Sequence, residues 1–149
     1  MRRKEIRDII KNCKVCHVAM IDNDMPYVVP LNFGYEIIDD TLILYFHSAK
    51  EGRKIDILHK NNTVCFEMCL EGEPIIAKNT PCNSGYNFSS VIGNGKVEFI
   101  TDTSEKIKAL SLLMKQQADL DVIFTEKQAN TVCVYKIISN DFTGKKKST

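Results

Sequence analysis

The chain has 149 residues, 44% of them hydrophobic and 26% charged, the balance of a soluble globular protein with one core, here taken as residues 1–149. Twenty Lys and Arg against 19 Asp and Glu leave a net charge of +1, so no general attraction to nucleic acid or to an anionic membrane is expected. No apolar run reaches the roughly 18–20 residues that span a bilayer, and Met1-Arg2-Arg3 has no apolar stretch behind it, so a cytoplasmic protein is expected.

In chain order, residues 4–12 read as a short amphipathic helix with Ile6, Ile9 and Ile10 on one side. Val15 to Ile21 is a strand, Asp22-Asn23-Asp24 a turn, and about Pro26 to Ile37 a returning strand. Asp39-Asp40 turns the chain into a third strand, Thr41 to His47. A helix over about Gly52–Lys60 buries Ile55 and Leu58. Thr63 to Leu70 is a strand interrupted by Glu71-Gly72-Glu73-Pro74, and residues 78–86 are a polar loop. Asn87 to Thr101 is a long strand in which Gly93 and Gly95 permit a bulge. Asp102 or Thr103 caps a helix over Ser104–Gln117 with an Ile107, Leu110, Met114 stripe. A mixed connection follows, then a last strand from Thr131 to Ile138, and Lys145-Lys146-Lys147 reads as a solvated end. Six strands joined mainly by hairpins are not a βαβ repeat. They predict a mainly β fold, a small antiparallel barrel with peripheral helices, with an open α+β sheet as the alternative.

Five groups of residues carry possible chemistry. The stretch from Leu44 to Ile55 combines His47 and Ser48 at a strand end, the permissive Gly52, and the cations Arg53 and Lys54 at a helix start, a combination that suits a phosphate. Pro30 cannot donate to a ladder and marks an edge, which leaves the backbone of Val29 and Leu31 and the amide of Asn32 for a planar heterocycle. Cys13-Lys14-Val15-Cys16-His17 matches the spacing of covalent haem attachment, but it runs into an apolar strand with no export signal. A zinc site there lacks a second closely spaced pair, so no metal is assigned. Cys13, Cys16, Cys65, Cys69 and Cys133 lie in apolar runs and read as mostly buried thiols, Cys82 as an exposed loop thiol, and His59 as a cation near a helix end. Ser89 and Ser90 can reach a polar ligand rim. No Walker loop, dinucleotide fingerprint or Ser/His/Asp order is present.

Taken together, these segments resemble the pyridoxamine 5′-phosphate oxidase-like family of FMN-binding split barrels, nearest its small nitroimidazole-resistance (Nim-like) branch. The likeness rests on Val15–Met20, Pro26–Tyr35, Leu44–Lys54, Val64–Glu67, Ser90–Phe99 and Phe142–Lys145, in order across nearly the whole chain. It implies a six-stranded split barrel working as a homodimer with FMN at the interface. Val29, Pro30, Leu31 and Asn32 would line the flavin; His47, Ser48 and Ala49 would meet its ribityl-phosphate side; Lys50, Arg53 and Lys54 would hold the phosphate; Ser90 and Val91 would approach from the strand near the partner. His47 would stand close to flavin and substrate, as the one catalytic candidate. The region before Ser90 lacks the basic residue often found there, and the long C-terminal extension of true pyridoxamine-phosphate oxidases is missing, which disfavours that activity. The implied function is FMN-dependent oxidation or reduction of a small organic compound, nitroaromatics among the candidates. The alternative is a flavin- or haem-binding module without turnover.

Overall fold

The computed structural model describes residues 1–148. Its helices and strands are α1 (Arg3–Asn12), β1 (Val15–Asp22), β2 (Met25–Asn32), β3 (Gly34–Ile38), β4 (Thr41–Ser48), α2 (Arg53–Lys60), β5 (Thr63–Ile75), β6 (Gly85–Phe99), α3 (Thr103–Ala118), α4 (Glu126–Ala129) and β7 (Cys133–Lys147), with one 3-10 turn at Pro81–Asn83. The strands form one sheet in the order β2-β1-β5-β6-β7-β4-β3, with every pair antiparallel. No helix among the described residues is long and apolar enough to cross a membrane.

The two end strands of this order, β2 and β3, are consecutive in the chain and separated by Phe33 alone. The ends of the sheet therefore meet, and the sheet closes into a barrel with a seam at Phe33. This accounts for the one difference in strand count. The extended run from Pro26 to Ile37 is continuous in the sequence but pairs with β1 before Phe33 and with β4 after it, giving seven strands where six were expected. Local pattern registers extension; it cannot register a change of partner.

Strand alternation fills the interior. Cys16, Val18 and Met20 of β1, Leu42, Leu44 and Phe46 of β4, Val64, Phe66 and Met68 of β5, and Val91 of β6 form one buried cluster, joined by Ile6, Ile9 and Ile10 of α1 and Ile55 and Leu58 of α2. A second cluster lies outside the barrel, where α3 covers Tyr45 and Val134. The buried line of α3 is Ala109, Leu110, Leu113 and Gln116, one position round from the expected stripe. The reason is Gly34. A Cβ there would stand 2.5 Å from the Leu113 nitrogen, so α3 rests directly on the β3 backbone. Gln116, buried against the end of α1, donates its amide to the carbonyls of Ile10 (2.9 Å) and Cys13 (2.7 Å), adding a second donor at Ile10, which also accepts from the Cys13 nitrogen, and supplying one to Cys13 just past the helix end.

Three expectations need correction. Glu71–Pro74 does not break its strand: β5 continues to Ile75 through a register shift against β6, the geometry of a bulge. The last strand does not stop at Ile138. It runs to Lys147, because β6 is long enough to template it, and Lys145 pairs with Ser90 through the backbone while the side chains of Lys145, Lys146 and Lys147 stay exposed as expected. Cys69 is exposed, on the outward side of β5; Cys65 and Cys133 are half-buried, and only Cys13 and Cys16 are fully inside. All six thiols are free and Cys82 is exposed.

Candidate functional site

The seam builds an opening. β3 pairs with β4 only as far as Tyr45, so Phe46, His47 and Ser48 have a partner on the β7 side alone. Across the seam β2 has β1 on one side and no strand on the other. Two strand edges with unpaired backbone groups thus flank the same slot. The end at Phe33 is closed by α3: Gln117 donates to the carbonyls of Phe33 (2.9 Å) and Lys14 (3.1 Å). The other end is closed by the turn from Ser48 to Arg53.

Pro30 sits where its missing N–H costs nothing, on the edge strand β2 opposite His17. Val29 and Leu31 pack inward against the barrel core, while Val28, Pro30 and Asn32 face out. The amide of Asn32, expected to be free, donates to the Lys14 carbonyl (3.1 Å) and to Gln117 (3.0 Å) and serves the seam.

At the turn, Gly52 adopts φ 152°, a conformation side chains rarely take, and α2 begins with no side-chain cap. The first N–H groups of α2 therefore remain available, as anion binding requires. Arg53 is not aimed at this space. Its guanidinium pairs with Asp22 at 3.2 Å and lies over the Tyr27 ring at 4.0 Å, tying α2 to the β1–β2 hairpin. The cations near the turn are instead Lys50, Lys54 and Lys106. All three stand close enough to the Cys133 thiol to pull its pKa down against the burial that raises it, and Cys133 is the cross-strand partner of Ser48. None of the three lysines makes an ion pair among the described residues. Lys106 escapes sequence reasoning because it comes from α3, more than fifty residues downstream. One signal was present: a lysine near a helix N-terminus opposes the helix dipole. The Ser48 hydroxyl donates to the Ala49 carbonyl (3.0 Å), and the neighbouring Tyr135 hydroxyl is buried with no hydrogen-bond partner among the described residues.

His47 stands apart from Ser48. Leu42, Leu44 and Phe46 face the interior, whereas Ile43 and Tyr45 pack under α3, so alternation carries His47 to the outer face with them. There it borders a cavity of about 440 Å³ beneath α3 and α4. Desolvation holds its pKa below the ordinary histidine value, so the imidazole is neutral near pH 7, with one N–H to donate and one nitrogen to accept. Ser90 and Val91 lie at the far end of the barrel. Ser90 pairs with Lys145 and Ser48 with Cys133, twelve residues apart on β7, a strand path of roughly 40 Å. Val91 is fully buried between β5 and β7, so its side chain meets no ligand. His59 stacks on Phe99 at 4.1 Å, and the Phe99 ring in turn lies 5.8 Å from that of Tyr135. No group of His, Cys, Asp and Glu among the described residues is arranged to hold a metal ion.

A family model described as pyridoxamine 5′-phosphate oxidase matches residues 2–146. The chain belongs to this family. Among solved structures it is similar to a candidate 5-nitroimidazole antibiotic resistance protein of Bacteroides thetaiotaomicron, at 35% identity and TM-score 0.82, covering 96% of this chain and 82% of that one. A flavocytochrome of Azotobacter vinelandii shares the fold at 22% identity and TM-score 0.79, over 99% of this chain and 68% of that one. So does an FAD-binding protein of Mesorhizobium loti, at 22% identity and TM-score 0.69, over 99% and 96%. No curated protein matches the sequence. The family and the barrel anticipated from the sequence are thus shown.

Proposed function

We propose that this family member is an FMN-dependent oxidoreductase acting on a small organic compound, assembled as a homodimer with a flavin in each slot. The observation that carries the reading is the placement of three unpaired lysines around Cys133, the cross-strand partner of Ser48, beside two unpaired strand edges. The lysines suit a terminal phosphate, and the edges offer donors and acceptors to a planar ring. Flavin binding by proteins of the same fold supports the ring's identity, and the Bacteroides relative makes nitroaromatics the first substrates to try. The flavin, when bound, supplies the hydride or electron transfer. Val28 and Asn32, whose backbone groups share the open edge of β2 with Pro30, then offer them to the ring edge, Ser48 and Ala49 bound the chain leading to the phosphate, and Lys50, Lys54 and Lys106 bind that phosphate. His47 holds or delivers a proton through its neutral imidazole. Ser90 is too remote to touch the same ligand in one chain, so its expected contribution comes from the second copy.

Purified protein that releases FMN on denaturation, is bleached by NAD(P)H and is reoxidised by a nitroaromatic supports the cofactor and the activity in this reading. A colourless protein that cannot be loaded with FMN overturns it, bound flavin without turnover points to a carrier, and a Soret band redirects it to haem. Lys54→Ala with Lys106→Ala is expected to weaken FMN binding at least 100-fold, since each charge-assisted contact contributes about 1.5–3 kcal/mol. Arg53→Ala is expected to cost less, because its charge is already engaged by Asp22. Equal affinity in the double variant and wild type places the phosphate elsewhere.

A further inference from the structure

We propose that the cavity beside His47 binds an aromatic monoanion, with Lys127 as its charge partner. As a statement about substrate it rests on the flavin reading above; as a statement about binding it stands on the cavity itself. The volume of about 440 Å³ lies within the range of small-molecule sites and admits a molecule of one or two rings. Leu110, Leu113 and Met114 of α3 and Phe124 give it apolar walls, and no carboxylate lines it. Four polar residues border it, and two of them are committed to the local fold. The Gln128 side chain accepts from the Thr125 nitrogen in the cap of α4 (2.9 Å), and the Thr131 hydroxyl donates to the Gln128 carbonyl (2.7 Å). Lys127 and His47 are left. Lys127 has no ion pair or hydrogen bond among the described residues, so its ammonium is free to meet a ligand at the rim. An apolar chamber with one free cation, one imidazole and no acid discriminates by charge: it accepts an anionic ring, tolerates a neutral one and rejects a cationic one. His47 belongs to the same strand end as the slot, so a ring held here lies next to the flavin site.

The test is calorimetric titration of the full chain, with and without added FMN, using 2-naphthoate, 2-naphthylmethanol and 2-naphthylmethylamine as probes. Naphthoate is expected to bind at least tenfold more tightly than the alcohol, and the amine more weakly than both. Lys127→Gln, an exposed change that leaves the core alone, is expected to lose the tenfold preference while keeping the alcohol's affinity. Naphthalene protons are expected to show NMR contacts to the Met114 methyl in the unmutated protein. An amine that binds as well as naphthoate, unchanged naphthoate affinity in Lys127→Gln, or contacts that bypass Met114 overturns the proposal. Displacement of naphthoate by FMN also overturns it, assigning the cavity to the flavin ring. A protein that binds naphthoate through Lys127 but never binds FMN keeps the cavity site and removes the flavin reading.

Discussion

Replacing Gly34 by alanine tests the seam. The added Cβ would stand 2.5 Å from the nitrogen and 2.7 Å from the Cα of Leu113, with the Leu112 carbonyl carbon also at 2.7 Å. These are backbone atoms of a helix and cannot swing aside as a side-chain tip can. Ordinary contact begins near 3.4 Å, so α3 must retreat by about 0.9 Å. Overpacking on that scale costs about 1–3 kcal/mol. For a chain of this size, 2 kcal/mol corresponds to a fall of roughly 4–8 °C in the midpoint of thermal unfolding, and urea titration should show a lower midpoint at unchanged slope. Because Gln117 travels with α3, the amide signals of Asn32 and Gln117 should shift as their 3.0 Å contact loosens. Gly85→Ala is the control, since its Cβ would meet only the mobile end of Lys147 at 3.5 Å. Wild-type stability in Gly34→Ala would refute the backbone-on-backbone packing of α3 on β3, and with it the account of how the slot is closed at that end.

Other consequences are open to measurement. Gln116→Leu should destabilise by about 1–3 kcal/mol in urea unfolding, because the Cys13 carbonyl loses its buried donor and the Ile10 carbonyl keeps only the Cys13 nitrogen. Partial desolvation at the cavity rim disfavours protonated His47 in the folded state, so its native pKa lies below 6.5, and its NMR titration should show this. Between the unfolded value and that lower one the unfolded chain binds more protons, so this histidine's share of stability is fully present above pH 6.5 and is lost as the pH falls through the window; His47→Gln should flatten that acid slope. Iodoacetamide at pH 8 should label Cys69 and Cys82 before Cys13 and Cys16, since burial pushes the Cys13 thiol up to about 11 and raises Cys16 further. Equal rates for buried and exposed thiols would contradict the core placement of β1.

Most of the barrel was legible because its strands alternate: the residues at Val18 and Met20, or at Leu42, Leu44 and Phe46, declare an inside without reference to anything distant. α1 announced itself through Ile6, Ile9 and Ile10, and Asp102 caps α3 as its position suggested, accepting from the Glu105 nitrogen at 2.9 Å. The phosphate turn was legible as a local cluster, but the assignment of its charges was not. Arg53 and Lys54 are neighbours in sequence and diverge in space, because α2 packs one of them against Asp22 and Tyr27. Lys106 reaches the turn only through the docking of α3. His47 and Ser48 were grouped by adjacency, whereas strand geometry sends consecutive side chains to opposite faces.

The two prolines of β2 have a bearing on solubility. A barrel that stops short of sealing leaves strand edges, and exposed edges invite pairing with another chain. Pro26 and Pro30 remove donors from the open edge of β2, and both lie opposite β1 residues in register, at Ile21 and His17. An incoming strand would find an interrupted ladder there and would be held poorly, whereas a small planar molecule needs only one or two of the remaining groups. The same two residues that keep the edge from recruiting another polypeptide thus leave it receptive to something much smaller.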